Sequence, residues 1–291
     1  MTRRWTTLIS VEELAAAIDH CVVIDCRHDL ADTSAGERAY AEGHIPSAHF
    51  LHMDRDLSGP MTGSNGRHPL PDREAFRRRL EALGVSDDTQ LVAYDSHGGA
   101  MAGRVWAMAR WLGHDAVAVL DGDLRAWRTA GYPLATEPTP APARPGRLDP
   151  ARPSRLALVP VDAIVAAIAS PDALQVDALQ VLDARAAERY SGAVEPIDPV
   201  AGHIPGAINR FHGRNLRPDG RFKPAEALRD EFEALLGDRD PASIVHQCGS
   251  GVTACHNLLA MEHAGIPGSR LYAGSWSEWV ADPGRPVARG S

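Results

Sequence analysis

Cysteine is scarce in this chain. Four occur in 291 residues, Cys21, Cys26, Cys248 and Cys255, too few for a disulfide framework. None forms a Cys-x-x-C pair, which argues against a zinc ribbon. Long apolar runs are also missing. No stretch approaches the roughly 18 residues that read as a membrane span. The opening Met1-Thr2-Arg3-Arg4-Trp5-Thr6-Thr7 leads into no signal-peptide core, and the twin Arg3-Arg4 lacks the apolar segment an export signal needs. A cytoplasmic location is the default expectation. Positive charge is in deficit: the formal net charge is -8. Without a basic block or interleaved aromatics, nucleic acid is a poor candidate partner. An anionic substrate would have to rely on local positive charge. Metal-ligand spacing, a dinucleotide fingerprint and a phosphate-cofactor lysine are all absent, so no metal and no cofactor are expected.

What is present is ordinary for a globular protein: 44% apolar and 23% charged residues. The length suits two domains, each large enough to fold without staples. The segment Glu137-Pro138-Thr139-Pro140-Ala141-Pro142-Ala143-Arg144-Pro145-Gly146 reads as a linker, because such a run favours extended backbone. It divides the chain into domains 1–136 and 157–291, with 137–156 between them. The two halves resemble each other. Val23-Ile24-Asp25-Cys26-Arg27 matches Val181-Leu182-Asp183-Ala184-Arg185, and Gly43-His44-Ile45-Pro46 matches Gly202-His203-Ile204-Pro205. Leu91-Val92-Ala93-Tyr94-Asp95 matches Ile244-Val245-His246-Gln247-Cys248. Leu120-Asp121-Gly122 with Trp127 matches Tyr272-Ala273-Gly274 with Trp279. Four matches in one order imply a duplicated domain.

Cys21–Ile24 and Gln90–Tyr94 read as buried strands, continuous in apolar character. Val11–Ile18 reads as a helix with Ser10 as N-cap and Glu13 completing a capping box. Residues 74–83 and 100–112 also carry helical patterns. Strands alternating with helices imply an α/β fold, each domain a mainly parallel sheet flanked by helices.

The chemistry concentrates at Cys248-Gly249-Ser250-Gly251-Val252-Thr253-Ala254. A strand is expected to end at Cys248, and a helix to run from about Val252 to about Ala264, stopped by Gly265. Sites in open α/β sheets form at the carboxyl ends of strands. Two glycines let the backbone curl with its N–H groups inward, and the helix start adds donors. Such a cradle favours a thiolate over a thiol and would hold a persulfide anion. It does not fit a Walker loop, which needs a lysine. A Cys-x5-Arg phosphatase would need arginine where Ala254 stands, and without it the phosphoryl clamp is lost. Cys255, Cys21 and Cys26 read as core packing. In the first half the nucleophile position is Asp95, which cannot carry sulfane sulfur, so that domain is expected to be non-catalytic. His44 and His203 recur in both halves and read as structural, as do Trp127 and Trp279.

These segments, with Gly274-Ser275-Trp276-Ser277-Glu278-Trp279, resemble the tandem rhodanese family of sulfurtransferases across nearly the whole chain. The resemblance implies two packed rhodanese domains with one catalytic cysteine, Cys248. Cys248-Gly249-Ser250-Gly251-Val252-Thr253 is similar to the loop of the 3-mercaptopyruvate branch. The thiosulfate branch has Arg-Lys where this chain has Gly249-Ser250. A neutral loop suits a monoanionic keto acid better than dianionic thiosulfate.

The implied mechanism is ping-pong: a Cys248 persulfide forms and is passed to cyanide, a small thiol or thioredoxin. The resemblance also implies a Ser-His-Asp relay, for which Ser250, His68 and Asp54 are the candidates. Arg189 matches one family clamp for the donor carboxylate. Arg185 is a second candidate, read chiefly as an ion-pair partner of Asp183. The other family arginine falls in Glu195-Pro196-Ile197-Asp198, where no arginine stands. Arg210 or Arg214 could substitute. Three alternatives stay open: thiosulfate as donor, a persulfide carrier with little turnover, and a phosphatase-like or purely interacting domain.

Overall fold

A computed structural model describes residues 4–169 and 179–290. Met1–Arg3, weighed above as part of an export signal, lie outside the described residues. The chain forms two compact units. One contains the residues as far as Gly59, Leu70–Arg155 and Leu216–Phe222; the other contains Pro60–Pro69, Leu156–Asn215 and the chain from Lys223 onward.

The first unit comprises β1 (Leu8–Ile9), α1 (Val11–Ala17), β2 (Cys21–Asp25), α2 (Ala35–Glu42), β3 (His49–Phe50), α3 (Arg73–Ala82), β4 (Gln90–Tyr94), α4 (Ala102–Trp111), β5 (Val117–Leu120) and α5 (Asp123–Thr129). Its sheet has the order β1-β5-β4-β2-β3, and every neighbouring pair is parallel. The expected capping box opens α1. Glu13 N–H donates to Ser10 Oγ at 3.2 Å, and Ser10 N–H donates to Glu13 Oε2 at 3.0 Å. β4 is buried along its whole length, the reason it reads as a continuous apolar run. Val23, Val92, Ala118, Leu120 and Trp127 form the core, each Val or Leu contributing roughly 1.5–3 kcal/mol by leaving water. The end of the proline-rich segment straps this unit. Gly146 N–H donates to the Glu81 carbonyl at 2.7 Å, and Leu148 N–H to Glu81 Oε1 at 2.8 Å.

The second unit comprises α6 (Val161–Ala169), β6 (Gln180–Asp183), α7 (Ala187–Ser191), β7 (Ile208–Asn209), α8 (Ala225–Leu236), β8 (Ile244–Gln247), α9 (Ala254–His263), β9 (Arg270–Leu271) and α10 (Ser275–Trp279). Its sheet runs β7-β6-β8-β9, again with every pair parallel. Both units are therefore the α/β sheets the sequence pattern implies.

The repeated motifs have repeated structural jobs. Arg27 pairs with Asp25 and donates to the Gly43 carbonyl at 2.8 Å; Arg185 pairs with Asp183 and donates to the Gly202 carbonyl at 2.7 Å. Each Asp-x-Arg thus pins a Gly-His-Ile-Pro turn. His44 stacks on Tyr40 and His203 on Tyr190, both at 3.8 Å. Trp127 and Trp279 each donate an indole N–H to a proline carbonyl, Pro133 and Pro286, at 2.9 Å.

Candidate active site

β8 delivers Cys248 at its carboxyl end, buried at 2% exposure. The backbone then turns through Gly251 at φ +78° into α9, which begins at Ala254. A Cβ on Gly251 would lie 2.1 Å from the Ala273 carbonyl oxygen, so only glycine fits that bend. Gly251 N–H donates to Cys248 Sγ at 3.1 Å. Cys248 N–H donates to Ser275 Oγ at 3.1 Å, and the Cys248 and Gly249 carbonyls accept from Trp276 and Ser277. Ser275 itself holds φ +55°, a conformation costly for a residue with a side chain. The loop is fixed from both sides before any substrate arrives.

Pro60–Pro69 brings Arg67 and His68 to this unit. Arg67 N–H donates to Ser277 Oγ at 3.0 Å. His68 Nδ1 and Ser250 Oγ are hydrogen-bonded at 2.7 Å, both residues buried. His68 and Ser250, two of the relay candidates, therefore meet beside the cysteine loop. Asp54 belongs to the first unit. Its carboxylate is 40% exposed and lies 3.9 Å from His52 Nδ1. His246, two residues before Cys248, is not available as a base. It is buried, bonded through Nε2 to Ser269 Oγ at 3.0 Å, and its pKa is pushed down to about 3 by burial.

Cations line the loop at Gly249. A Cβ there would lie 3.0 Å from Arg67 Nη2 and 3.5 and 3.6 Å from the two Nη atoms of Arg189. Neither guanidinium is bare. Arg189 holds Glu195 through Nε at 3.2 Å and Nη2 at 2.7 Å, and donates to Asp198 Oδ2 at 3.1 Å. Arg67 Nη1 pairs with Asp198 Oδ1. Burial raises Glu195, but hydrogen bonds from Arg189 and from the backbone of Asp198 and Ile197 outweigh it and leave its pKa below the ordinary value. Burial wins at Asp198, whose pKa is raised against the pull of Arg67 and Arg189.

Two arginines carried as substrate-binding candidates are spent elsewhere. Arg185 is buried between Asp183 and the Gly202 carbonyl, with its guanidinium 4.6 Å from the Trp276 ring centroid. Arg210 is buried in an ion pair with Glu231 at 3.0 Å, 4.1 Å over the Phe232 ring, and also donates to Asn215. Both side chains are only 1% exposed, and a guanidinium buried that fully must stay with its partners.

A strand-end cysteine in a glycine loop, repeated as an aspartate in a second sheet of the same design, narrows the field of known folds. The rhodanese-like domain pattern matches residues 10–130 and 169–282. The chain belongs to the rhodanese family. It is similar over 97% of its length to a probable 3-mercaptopyruvate sulfurtransferase of Pseudomonas aeruginosa, 48% identical over 287 residues that cover 98% of that protein. It is similar over 92% of its length to the thiosulfate sulfurtransferase of Bos taurus, 34% identical and covering 88% of it. Among solved structures, the 3-mercaptopyruvate sulfurtransferase from Leishmania major superposes with a TM-score of 0.81 at 32% identity, covering 94% of this chain and 74% of that one. These relatives are sulfurtransferases, and this chain is an enzyme of that class with a sulfur donor and an acceptor as substrates. No described helix is long and apolar enough to cross a membrane.

Reading the sequence missed Arg67. It stands next to His68 in Arg67-His68-Pro69, but its partner Asp198 is 131 residues away. A loop cation beside a candidate catalytic histidine was the available signal.

Proposed function

We propose that this enzyme takes sulfur from 3-mercaptopyruvate and carries it as a persulfide on Cys248. The observation that supports this donor best is the hydrogen bond between His68 Nδ1 and Ser250 Oγ at 2.7 Å, two residues from the nucleophile. Cleaving the C–S bond of a mercapto keto acid leaves an enolate, which needs a proton. A hydroxyl backed by an imidazole can supply one. Thiosulfate leaves sulfite, which needs none.

In the first half-reaction the Cys248 thiolate attacks the donor sulfur. A new S–S bond forms, the C–S bond breaks, and its electron pair leaves with the enolate of pyruvate. Ser250 protonates the enolate, and His68 returns the proton to Ser250. Asp54 is assigned the orienting role on His68, on the strength of the family resemblance. Gly251 N–H holds Sγ in the loop, and Arg189 with Arg67 receives the donor's carboxylate. In the second half-reaction cyanide, a small thiol or reduced thioredoxin attacks the outer sulfur, and the Cys248 thiolate leaves. A cytoplasmic setting belongs to the same proposal. Its support is that all four cysteines are free thiols, as suits a reducing compartment.

Thiosulfate as donor is the second reading. Its support is the 34% identity to the thiosulfate sulfurtransferase of Bos taurus. The test is a donor comparison with cyanide as acceptor, on wild type and Ser250→Ala. The expected result is higher kcat/KM with 3-mercaptopyruvate, and a loss of about 10- to 100-fold in the variant with that donor only. Higher efficiency with thiosulfate, or an equal loss with both donors, overturns the assignment.

A further inference from the structure

Positive charge reaches the cysteine loop but is already occupied. One Asp198 oxygen takes Arg67 and the other takes Arg189. The Asp198 carboxylate is 2% exposed, while the Arg67 and Arg189 side chains are 28% and 19% exposed. An acid with one oxygen on each of two guanidiniums has the contacts that an incoming carboxylate would want.

The position is right for the donor as well. Both guanidiniums stand where a side chain on Gly249, the residue after the nucleophile, would project. A three-carbon keto acid spans only about 4–5 Å. With its sulfur at Cys248, its carboxylate must fall close to that residue.

The two acids differ in how firmly they hold. Glu195 takes Arg189 through both Nε and Nη2 and is fastened by the backbone N–H groups of Ile197 and Asp198. Asp198 takes each arginine through a single nitrogen and is fastened by no backbone donor among the described residues. Glu195 is an anchor; Asp198 is the contact that can be exchanged.

We propose that Asp198 is an internal stand-in for the donor's carboxylate, occupying the Arg67–Arg189 pair in the free enzyme and giving it up when donor binds. Asp198 is then a specificity-determining residue, and this rests on the donor reading above. The donor's carboxylate takes over the two guanidiniums while Asp198 stays close by, its charge no longer paired with them. This exchange lowers donor affinity, because the seat must be vacated first. It also weighs against dianions, since repulsion from a nearby carboxylate grows with the charge of the ligand. The raised pKa of Asp198 fits a buried acid that its partners do not fully compensate.

The probe is pyruvate, which carries the carboxylate but no sulfur and binds without turnover. Calorimetric titration of wild type and Asp198→Asn compares the seat with and without its internal anion. The expected result is that pyruvate binds about tenfold more tightly to the variant. In steady state, KM for 3-mercaptopyruvate falls by a similar factor while kcat changes less than about threefold. Unchanged or weaker pyruvate binding overturns the proposal, because Asp198 then positions the arginines and does not compete for them. Absence of pyruvate binding to both proteins overturns it too. If Asp198→Asn does not fold, Asp198→Ser is read by the same titration with the same criteria. Failure of the donor reading shows separately, as a thiosulfate preference of the wild type.

Discussion

The loop after β4 closes on its own residue, while the loop after β8 leaves its residue available for chemistry. Asp95 Oδ1 accepts the N–H groups of His97 and Gly99 at 2.9 Å each, and Oδ2 accepts those of Met101 and Ala102 at 2.7 and 2.9 Å. Four donors converge on one fixed carboxylate. At Cys248 the same strand-loop-helix turn presents Gly251 N–H to Sγ. Above each loop sits a residue at positive φ, Asp123 in one unit and Ser275 in the other. Asp123 accepts Gly98 N–H and Ser275 accepts Cys248 N–H. The architecture is an anion seat in both units. In one, the side chain of Asp95 fills it. In the other, the seat holds Cys248, the proposed sulfur carrier.

That contrast can be broken most severely at Asp95. Asp95→Ala removes the acceptor from four backbone donors, and the cost is expected to be about 3–5 kcal/mol. Chemical denaturation should show it as a large drop in midpoint. Cys248→Ser should cost less than about 1 kcal/mol by the same measurement. Equal costs at the two positions would mean that the Asp95 cradle is not structural.

The next largest effect is at the bend. Gly251→Ala must move the Ala273 carbonyl and hold a side chain at positive φ. A loss of roughly 3 kcal/mol is expected. Gly131→Ala is the control. It has the same φ, +78°, but its Cβ would meet nothing within 4 Å, so roughly 1 kcal/mol is expected. Similar melting shifts for the two variants would show that backbone strain, not the close approach, governs Gly251.

A smaller effect sharpens the difference between the thiols. Burial pushes the Cys21 thiol up to about 11. It pushes Cys26 well above its ordinary range, reinforced by Asp95 and Asp25. At pH 8 a thiol of pKa 11 is only about 0.1% thiolate. Alkylation of Cys21 by iodoacetamide should therefore rise about tenfold per pH unit from pH 8 toward 11, read by peptide mass spectrometry. Cys26 should stay unlabelled over the same range. Labelling of Cys21 that does not change with pH would contradict the burial effect.

Much of this was legible in the sequence because it is local. α1 begins at Ser10 and its capping box closes within four residues. β4 covers the whole expected strand, Gln90–Tyr94. α9 stops where Gly265 takes φ +76°. Duplication made Cys248 visible, because Asp95 stood in the matching place. Charge pairing was far less legible. Arg185 beside Asp183 could be read, since they are two residues apart. Arg210 could not, because Glu231 and Phe232 reach it through the fold. Arg67 and Asp198 come together only because Pro60–Pro69 belongs to the second unit. A guanidinium's availability depends on what neutralises it, and that partner is set by tertiary structure.

Cys248 is the proposed carrier of the sulfur. Intact-mass spectrometry after incubation with 3-mercaptopyruvate, acceptor withheld, tests it directly. The wild type should gain about 32 Da, one sulfur, localised to the peptide containing Cys248 and lost on adding cyanide. Cys248→Ser should gain nothing. An added sulfur that persists in Cys248→Ser, or that maps to Cys255, Cys26 or Cys21, would contradict the account.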